Sequence, residues 1–557
     1  MKIIYSIKNI GKTYIRIFWA TLLVAIIGLS GISQYGITWD EQMNIDMVKW
    51  NLEYLRDGDP LSEHFRHHGF IFNYTSNLIY EIQYSIKKSL LPSSALSKQN
   101  FRTTAERNFY ILKEKTRVKH VVTFLLSLLS YISVAGLVYI LTRSNLAWLG
   151  VFILALFPRF WGHSFFNPKD IPFATLFTLG TFLGARLLNY YFQKETQTYK
   201  IGLNKITVYS LLYGIAIGLA TGVRVAGFFL LFFLIISHLL VKANLKDIYL
   251  TFIRFSKFYL VIFLAWAITT ISVYPASWAK PVQWFYEAVF SLSKYSVWDN
   301  TALFNGQQIP GRSLPWYYLP SYLLMTVPVL FQISFVVGLI WIIFKYNKLT
   351  PTQKACAILV ILQIFTLPLI AIIKQSTMYD EIRHFLFIIP GIAVLATTAL
   401  IWIYQSIANK YIKLFLATFL TLYIISIGLD MAALHPYEYT YFNRAYGGLK
   451  AAHRQQETDY WGLSLKEGME WLNKNAQPNS TILVAGPIFA AQAFTDRSQN
   501  FTIIHRDYFA WGKDPDPDYY LAISRYDYFD FFPQCPVVYS VLRQDTPLGI
   551  VKHCNKK

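Results

Sequence analysis

The sequence has little charge, few cysteines and no common nucleotide-binding motif. Charged residues make up 15% of its 557 residues, whereas soluble domains have about 25%. The three cysteines, Cys356, Cys535 and Cys554, have neither zinc-site nor CxxC spacing. No Walker A sequence, no strand–GxGxxG–helix unit and no internal repeat occurs. These absences argue against an ATP-driven pump, a Rossmann-type nucleotide enzyme and a cysteine-based metal site.

Apolar residues dominate instead. Hydrophobic residues make up 54% and aromatic residues 17% of the chain, and the mean hydropathy is +0.34. Apolar runs of about 20 residues recur, which is the length that crosses a bilayer core of about 30 Å. The runs are continuous rather than alternating, so they indicate helices and not strands of a barrel. The sequence therefore predicts an α-helical polytopic membrane protein.

Apolar length and flanking charge predict eleven transmembrane helices. They cover 13–33, 118–141, 145–160, 171–190, 206–222, 225–242, 255–274, 317–344, 354–373, 385–405 and 413–433. The first lacks a clear A-x-A cleavage site, so we interpret it as a retained helix rather than a removed signal. Two loop segments, Phe70–Leu91 and Pro281–Ser296, are amphipathic and aromatic, which predicts helices lying in the membrane interface.

The positive charge of the chain follows the predicted spans. The formal net charge is +20, from 51 Lys and Arg against 31 Asp and Glu. A basic excess can indicate nucleic-acid binding. Here, however, the cations flank apolar segments and are more frequent in one set of short loops, as the positive-inside rule predicts. We therefore expect no nucleic-acid partner and an N-terminus in the cytoplasm.

The last part of the chain differs in composition from the rest. An odd number of spans places 435–557 on the outer side, where Cys535 and Cys554 could form a disulfide. This tail is polar, with a helical pattern at Leu463–Leu472 followed by short β-type runs. The runs are Thr481–Ala485, Phe501–Ile504, Tyr519–Ile523 and Val537–Leu542. We predict a membrane module over 1–434, with a long first outer loop at 34–117, and a small extracytoplasmic α/β domain over 435–557.

Two adjacent carboxylates, Asp40 and Glu41, follow the first predicted span. A carboxylate at the membrane surface can act as a general base toward a hydroxyl acceptor. The same residues fit a structural explanation, because Thr38-x-x-Glu41 also has the pattern of a capping box for a helix running through Leu55. The sequence leaves both interpretations open.

A second polar motif, His163 to Asp170, lies between the third and fourth predicted spans. Asn167 suits an N-cap, Pro168 suits the first helical position, and Asp170 suits the positive end of the helix dipole. Lys169 gains nothing from that dipole. A cation beside a helix N-terminus forms a good anion site, however, so a phosphate or pyrophosphate would explain Lys169 as well as Asn167.

Single cations also lie at the outer ends of other predicted spans. They are Arg224, Lys280, Arg383 and the adjoining His384. Each one alone could simply extend to the lipid head groups. Several on one face indicate an anionic ligand held by charge-assisted hydrogen bonds. Ionisable residues near membrane helices are candidates for function.

No cofactor is required by these patterns. Three histidines, His64, His67 and His68, could ligate a metal, but histidine-rich loops are common without one. Asp40 and Glu41 could bind a divalent cation, although nothing demands it. We therefore predict no metal site and no certain cofactor.

At these motifs the sequence resembles the GT-C type polyprenyl-phosphate-dependent glycosyltransferases. The resemblance is to the family-39 group, which includes protein O-mannosyltransferases and the aminoarabinose transferases of lipid A. The resembling segments are Trp39-Asp40-Glu41, Pro158 with Asn167-Pro168-Lys169-Asp170, Pro315-Trp316-Tyr317-Tyr318-Leu319-Pro320, Arg383-His384-Phe385, and His435–Asn443 with Asp459-Tyr460-Trp461-Gly462. Their order and their shared membrane face carry the resemblance.

The resemblance implies a GT-C-like fold, a polyprenyl-phosphate sugar donor, inversion at the sugar carbon and a catalytic Asp in the first outer loop. Asp40 would be the general base, supported by Glu41. From the predicted topology rather than from the resemblance, we expect the substrate-binding residues to be His163, Lys169, Asp170, Arg224, Lys280, Arg383 and His384. Among these, Lys169, Arg224, Arg383 and His384 would stabilise the departing phosphate. The location would be the bacterial inner membrane, with the site on the extracytoplasmic side.

A lipid-linked donor also has a physical reason, because nucleotide sugars are cytoplasmic whereas these polar motifs face outward. The acceptor stays open between a lipid, a glycan and a protein. The main alternative is a lipid or glycolipid transporter without chemistry. Such a transporter would have charged or broken positions at mid-membrane and repeated halves. The third class, a scaffolding membrane protein, leaves the grouped charged motifs unexplained.

Overall fold

The structure is a computed structural model that describes residues 2–90, 103–195, 203–242, 244–293, 300–507 and 516–554. The helices of the membrane part are α1 Lys2–Gly31, α2 Glu41–Asp57, α3 Glu63–Arg66, α4 Ile71–Leu90, α5 Thr104–Thr142, α6 Leu149–Ala155, α7 Pro158–Phe166, α8 Asp170–Glu195, α9 Leu203–Val223, α10 Phe229–Leu239, α11 Leu245–Val273, α12 Pro281–Ser293, α13 Tyr318–Thr326, α14 Val329–Lys345, α15 Pro351–Ile373, α16 Ile389–Ser406 and α17 Lys410–Leu434. A hairpin of β1 Thr301–Phe304 and β2 Gln307–Pro310 precedes α13.

Nine helices in the described ranges are long and apolar enough to cross a membrane, or up to ten if the bent pair α6–α7 counts as one span. The predicted class, a polytopic helical protein, is confirmed, with fewer continuous spans than the eleven expected. Two of the differences have a proline at the break. The predicted span 317–344 divides into α13 and α14 at Val327 and Pro328, because the residue before a proline is pushed out of the helical region. The chain bends by 77° between α6 and α7, where Pro158 starts a new helix.

The third difference concerns the predicted span 225–242. It consists of a 3₁₀ turn, Val225–Phe228, followed by the short helix α10. Arg224 before it pairs with Asp170 at the start of α8, whereas Lys242 after it lies 2.5 Å from Glu195 at the end of α8. Because α8 has 26 residues, its ends are about 39 Å apart. The segment therefore runs between the same two faces as α8, although its continuous helix is short.

The C-terminal part folds around a five-stranded mixed sheet with the order β4-β3-β5-β7-β6. Its elements are α18 Gly448–Ala452, α19 Leu465–Asn475, β3 Thr481–Ala485, α20 Ile488–Ala493, β4 Thr502–His505, β5 Tyr519–Ile523, β6 Val537–Arg543 and β7 Thr546–His553. The prediction of a small α/β domain is confirmed. It missed β7, in which Pro547 and Gly549 look like strand breakers. A hairpin turn at Gln544 and Asp545, both with positive φ, nevertheless pairs β7 with β6.

The described residues form three hydrophobic cores, and the C-terminal part contributes to two of them. The sheet and α19 form one core, which also takes in Ile37 from the membrane part. The segment after α17 packs into the other core together with the spans, through residues such as Tyr439 and Trp461. The chain after residue 434 thus contributes to both cores, and the domain division at 434 stays a prediction. Cys535 and Cys554 form a disulfide.

The predicted interfacial helices correspond to α4 and α12. Residues 91 and 294–296 of these predictions lie outside the described residues. A glycine fixes the approach of the α4 segment to the spans, because a Cβ on Gly69 would lie 2.4 Å from the carbonyl oxygen of Gly222. The segment before α4 therefore rests on the end of α9, next to Arg224.

Candidate functional site

The segment between α1 and α2 is held against the chain that follows α17. Tyr35 donates a hydrogen bond to the Glu438 carboxylate at 2.7 Å, and the Trp39 amide donates to the Trp461 carbonyl at 3.1 Å. A Cβ on Gly36 would lie 2.9 Å from the Leu463 carbonyl oxygen, so only glycine fits this approach without a shift. These contacts fix the position of Asp40, the last residue of the segment.

The two predicted carboxylates have different surroundings. Glu41 is fully buried, accepts a hydrogen bond from the Thr38 amide at 2.8 Å, and lies 2.8 Å from Nε2 of His120. Asp40 occupies the N-cap position of α2, and its side chain makes no capping hydrogen bond to the described backbone. The Asp40 side chain is 24% exposed and lies 3.4 Å from Nη1 of Arg383. The capping-box alternative therefore explains Glu41, which accepts a hydrogen bond from the Thr38 amide. It does not explain Asp40, whose carboxylate makes no capping hydrogen bond to the described backbone and is available to a substrate.

The Glu41–His120 contact is expected to stabilise the Asp40 segment. Replacing either residue alone, as Glu41→Gln or His120→Ala, should lower the free energy of unfolding by about 1–3 kcal/mol, because a buried polar partner loses its hydrogen bond. The double variant should lose less than the sum by at least about 0.5 kcal/mol. Thermal and chemical unfolding in detergent measures this. Gln42→Ala, which removes a bond to Asp46 on the partly exposed side of α2, is the matched control and should change stability by less than about 0.5 kcal/mol. Simple additivity would contradict the contact.

The turn between α7 and α8 is organised by Asn167. Its side-chain oxygen accepts hydrogen bonds from the Lys169 and Asp170 amides at 3.2 and 2.9 Å, as the N-cap interpretation requires. Its amide nitrogen donates to the Asp170 carboxylate at 2.8 Å and lies 3.1 Å from Nδ1 of His163. Asp170 is also paired with Arg224. His163 continues the network to the Tyr460 hydroxyl at 3.1 Å. One network thus joins four of the predicted residues from α7, α8 and the end of α9.

Lys169 lies half-buried at this turn, within electrostatic range of Asp40, Asp170, Arg224 and Arg383. Burial, followed by the neighbouring Arg224, lowers the pKa of Lys169 to about 8. Its ammonium group is therefore easier to neutralise than that of an ordinary lysine.

Arg383 connects Asp40 with Asp380, a carboxylate that we did not predict as part of the site. Its Nη2 lies 3.2 Å from Asp380, and its guanidinium stacks over the Trp461 ring at 4.7 Å. Asp380 in turn accepts a 2.6 Å hydrogen bond from Arg525, which comes from the loop after β5. A second buried pair, Arg159 with Glu381, lies beside it.

Glu457 is a further carboxylate of this region. It accepts a hydrogen bond from the Leu303 amide at 3.0 Å and lies 3.9 Å from Nε of Arg525. Burial raises the pKa of Glu457 to about 6. The missed residues Asp380, Glu457 and Arg525 thus link the C-terminal domain and the hairpin to the face that holds Asp40.

The other predicted residues are placed differently. His384 packs its ring edge-on against Tyr379 at 4.6 Å and interacts electrostatically with Asp170. Lys280 is exposed just before α12, and no ion pair joins it to these residues in the ranges that the structure describes. The side chain of His64 lies outside the described residues. No group of three or more His, Cys, Asp or Glu side chains that could hold a metal occurs among those described.

The site therefore contains one partly exposed carboxylate, Asp40, beside several cations at helix ends. Arg383 touches it directly, and Lys169 and Arg224 lie at the neighbouring turns. Chemically, such an arrangement can accept a proton at Asp40 and hold an anionic group between the cations.

No protein-family model matches the sequence, and no curated protein matches it. Solved structures are similar at low identity. The archaeal oligosaccharyltransferase AglB from Archaeoglobus fulgidus, in complex with an inhibitory peptide and a dolichol-phosphate, matches with a TM-score of 0.47 and 12% identity over 91% of this chain and 69% of its own. An oligosaccharyltransferase of the same organism, in complex with Zn and sulfate, matches with a TM-score of 0.38 and 13% identity over 82% and 59%. ArnT from Cupriavidus metallidurans in the apo state matches with a TM-score of 0.38 and 11% identity over 80% and 86%. At these identities and TM-scores the functional argument rests on the site residues alone.

Proposed function

We propose that this chain is a membrane glycosyltransferase that transfers a sugar from a polyprenyl-phosphate donor to an acceptor hydroxyl, with inversion, at the outer face of the membrane. The observation that carries the proposal is the position of Asp40. Its carboxylate is partly exposed and free of helix capping, and it faces Arg383 at 3.4 Å, with the Lys169 turn and the Arg224–Asp170 pair nearby. A base beside a cationic site suits a reaction in which a phosphate leaves.

In the proposed reaction, Asp40 accepts the proton of the acceptor hydroxyl. The acceptor oxygen forms a bond to the anomeric carbon while the bond from that carbon to the phosphate oxygen breaks. Attack from the side opposite the phosphate inverts the anomeric centre. The electron pair of the broken bond stays on the phosphate, which changes from a diester with one negative charge to a monoester with up to two. Lys169, Arg224 and Arg383 stabilise that growing charge.

An apolar cavity next to the cations could hold the lipid chain of the donor. A cavity of about 310 Å³ lies between the segment 228–235, α11 and α12, lined by residues such as Phe228, Phe263 and Phe285. Phe228 follows Arg224 by one turn. A phosphate near Arg224 could therefore continue into a hydrocarbon chain that lies in this groove.

The orientation of the site is also part of the proposal. Arg525 of the C-terminal domain contacts Asp380 of the site, so the domain and the site occupy the same side of the membrane. The Cys535–Cys554 disulfide in that domain supports an oxidising compartment. We infer that both face the extracytoplasmic side.

Membranes containing the full chain, incubated with radiolabelled polyprenyl-phosphate sugar, test the function. Membranes from the same host without the protein are the control. We expect label to move from the lipid phosphate to an acid-stable product only when the protein is present. A failure to transfer label from any polyprenyl-phosphate sugar, together with measurable movement of the labelled lipid across proteoliposome membranes, would overturn the proposal in favour of a transporter.

The pH dependence of donor binding should report on Lys169. Its ammonium is present below the lowered pKa of about 8 and is lost as the pH rises through that value. If this charge binds the donor phosphate, the donor KM should rise about tenfold between pH 7 and pH 9, because about nine-tenths of the groups are neutral one unit above the pKa. Initial rates at varied donor concentration measure the change. Lys169→Arg keeps its charge throughout this range and should remove the rise. An unchanged rise in that variant would show that another group titrates.

A further inference from the structure

A polar cavity of about 370 Å³ lies outside the site, between the α/β domain and the membrane part. Its walls come from α19 and β6 of the domain. Gln34, just after α1, and Pro436, just after α17, form the side at the membrane. Clefts between domains are common places for small ligands, and this volume lies at the lower end of the usual range for ligand pockets.

An aromatic wall and a fixed polar floor line the cavity. Trp471 and Tyr539 stack face to face, with ring centroids 5.4 Å apart and planes at 9°. On the floor, Glu467 is held by the Tyr437 hydroxyl at 3.0 Å and by Arg543. Lys466 donates to the Ser33 and Gln34 carbonyl oxygens at 2.8 and 2.9 Å. The floor groups are thus positioned before any ligand arrives.

The charges that line the cavity nearly balance. Arg543 is neutralised by Glu467, and the Lys466 ammonium is occupied by two carbonyl groups. The two remaining charges, Glu470 and Lys474, are opposite in sign and exposed at the rim. Lys474 is therefore the main cation left for a phosphate, and Glu470 lies one helical turn from it on α19. This lining instead offers hydrogen-bond donors and acceptors together, beside an aromatic wall.

We infer that the cavity binds a neutral sugar unit. A sugar presents hydroxyl groups that need both donors and acceptors, as supplied by Lys474 and Glu470 at the rim. It also has an apolar C–H face that can pack on an aromatic ring such as Trp471. Because Gln34 and Pro436 place the cavity at the membrane face, the sugar belongs to a glycan close to the membrane surface. The assignment of that glycan to the acceptor rests on the proposed function, whereas sugar binding itself does not.

The test is a titration of the full chain in detergent with maltose, lactose and chitobiose, followed by saturation-transfer NMR. We expect saturable binding of at least one of the three, and equal binding by Asp40→Asn, because the cavity is separate from the base. Trp471→Ala should raise the Kd about tenfold. Trp316→Ala removes a 69% exposed indole outside the cavity and should leave the Kd unchanged. This binding measurement requires no catalysis, so it fails or succeeds independently of the proposed function.

Glu470→Gln is a second variant, because its exposed side chain can change without disturbing the domain core. It should weaken the same sugar at least threefold, with an unchanged unfolding temperature. No saturable binding of any of the three sugars, or equal binding by wild type and both cavity variants, would overturn the inference. Binding of inorganic phosphate or glycerol phosphate that is lost in Lys474→Gln, without sugar binding, would overturn it in favour of a lipid head-group site.

Discussion

Asp40→Asn is expected to lower kcat for sugar transfer by about 10²–10⁴-fold, the usual contribution of a positioned general base. The amide has the shape of the carboxylate but cannot accept the acceptor proton. It can still accept a hydrogen bond from Arg383, which lies 3.4 Å from the carboxylate. The donor KM should therefore change little, because the cations that hold the phosphate stay in place. Initial rates with the radiolabelled donor at varied concentration separate kcat from KM.

The matched control is Asp46→Asn on the same helix, α2. Asp46 is also partly exposed, but its carboxylate accepts hydrogen bonds from Gln42 rather than facing the cations. Its transfer rate should stay within about twofold of wild type, since surface changes away from the site have small effects. Equal transfer by wild type and Asp40→Asn would exclude Asp40 as the base, even if the protein proves to be a glycosyltransferase.

Arg525→Met is expected to cause the largest loss of stability. Arg525 and Asp380 both have side chains that are only 6% exposed, and they lie 2.6 Å apart across the contact between the C-terminal domain and the membrane part. Without Arg525, the buried Glu457 loses its neighbouring cation and, among the described residues, Asp380 keeps only Arg383, at 3.2 Å. Removing one member of a buried charge pair lowers the free energy of unfolding by about 3–5 kcal/mol. Chemical and thermal unfolding of the purified protein in detergent measures the loss.

Two variants make this prediction specific. Arg454→Met removes a bridge to Asp530 that is nearly as short, 2.7 Å, but whose side chains are 60% and 54% exposed. It should therefore lower stability by less than about 1 kcal/mol. In Arg525→Met with Asp380→Asn, one of the two carboxylates that lose Arg525 is gone, and part of the loss should be recovered. A double variant as unstable as the sum of the two singles would mean that packing, not charge, explains the effect.

Local patterns in the sequence predicted most of the fold. The runs Thr481–Ala485 and Tyr519–Ile523 form strands with the predicted bounds, because a short β-branched or aromatic run between turns has few alternatives. The wrong predictions concern segments whose structure depends on a proline break or on pairing with distant strands rather than on local hydropathy. Hydropathy alone does not register the break at Pro328, and it does not show that Pro547 and Gly549 are tolerated in β7 by pairing on both sides.

The site was predictable only in part, for a related reason. His163, Asn167 and Asp170 lie within eight residues of one another, so their contacts leave a local signature. Arg525 and Asp380 are 145 residues apart, and nothing in either surrounding sequence indicates the other. The signal that could have found Asp380 is its neighbourhood, because Asp380 and Glu381 lie three and two residues before the predicted Arg383. Lys280 is the opposite case. It was predicted as a site residue because it is a cation at a helix end, yet no ion pair joins it to the other site residues in the described ranges.

Most of α17 is exposed rather than buried against other helices, and this has a consequence for how the protein responds to its bilayer. Only 6% of the apolar stretch of this helix is buried, compared with 83% for the span that begins at Arg383. A helix surrounded by lipid can tilt to match membranes of different thickness. The C-terminal domain is attached to the site by its own contacts, including Arg525 with Asp380 and Tyr460 with His163. Tilting of α17 can therefore absorb changes in lipid composition while the distances around Asp40 stay constant.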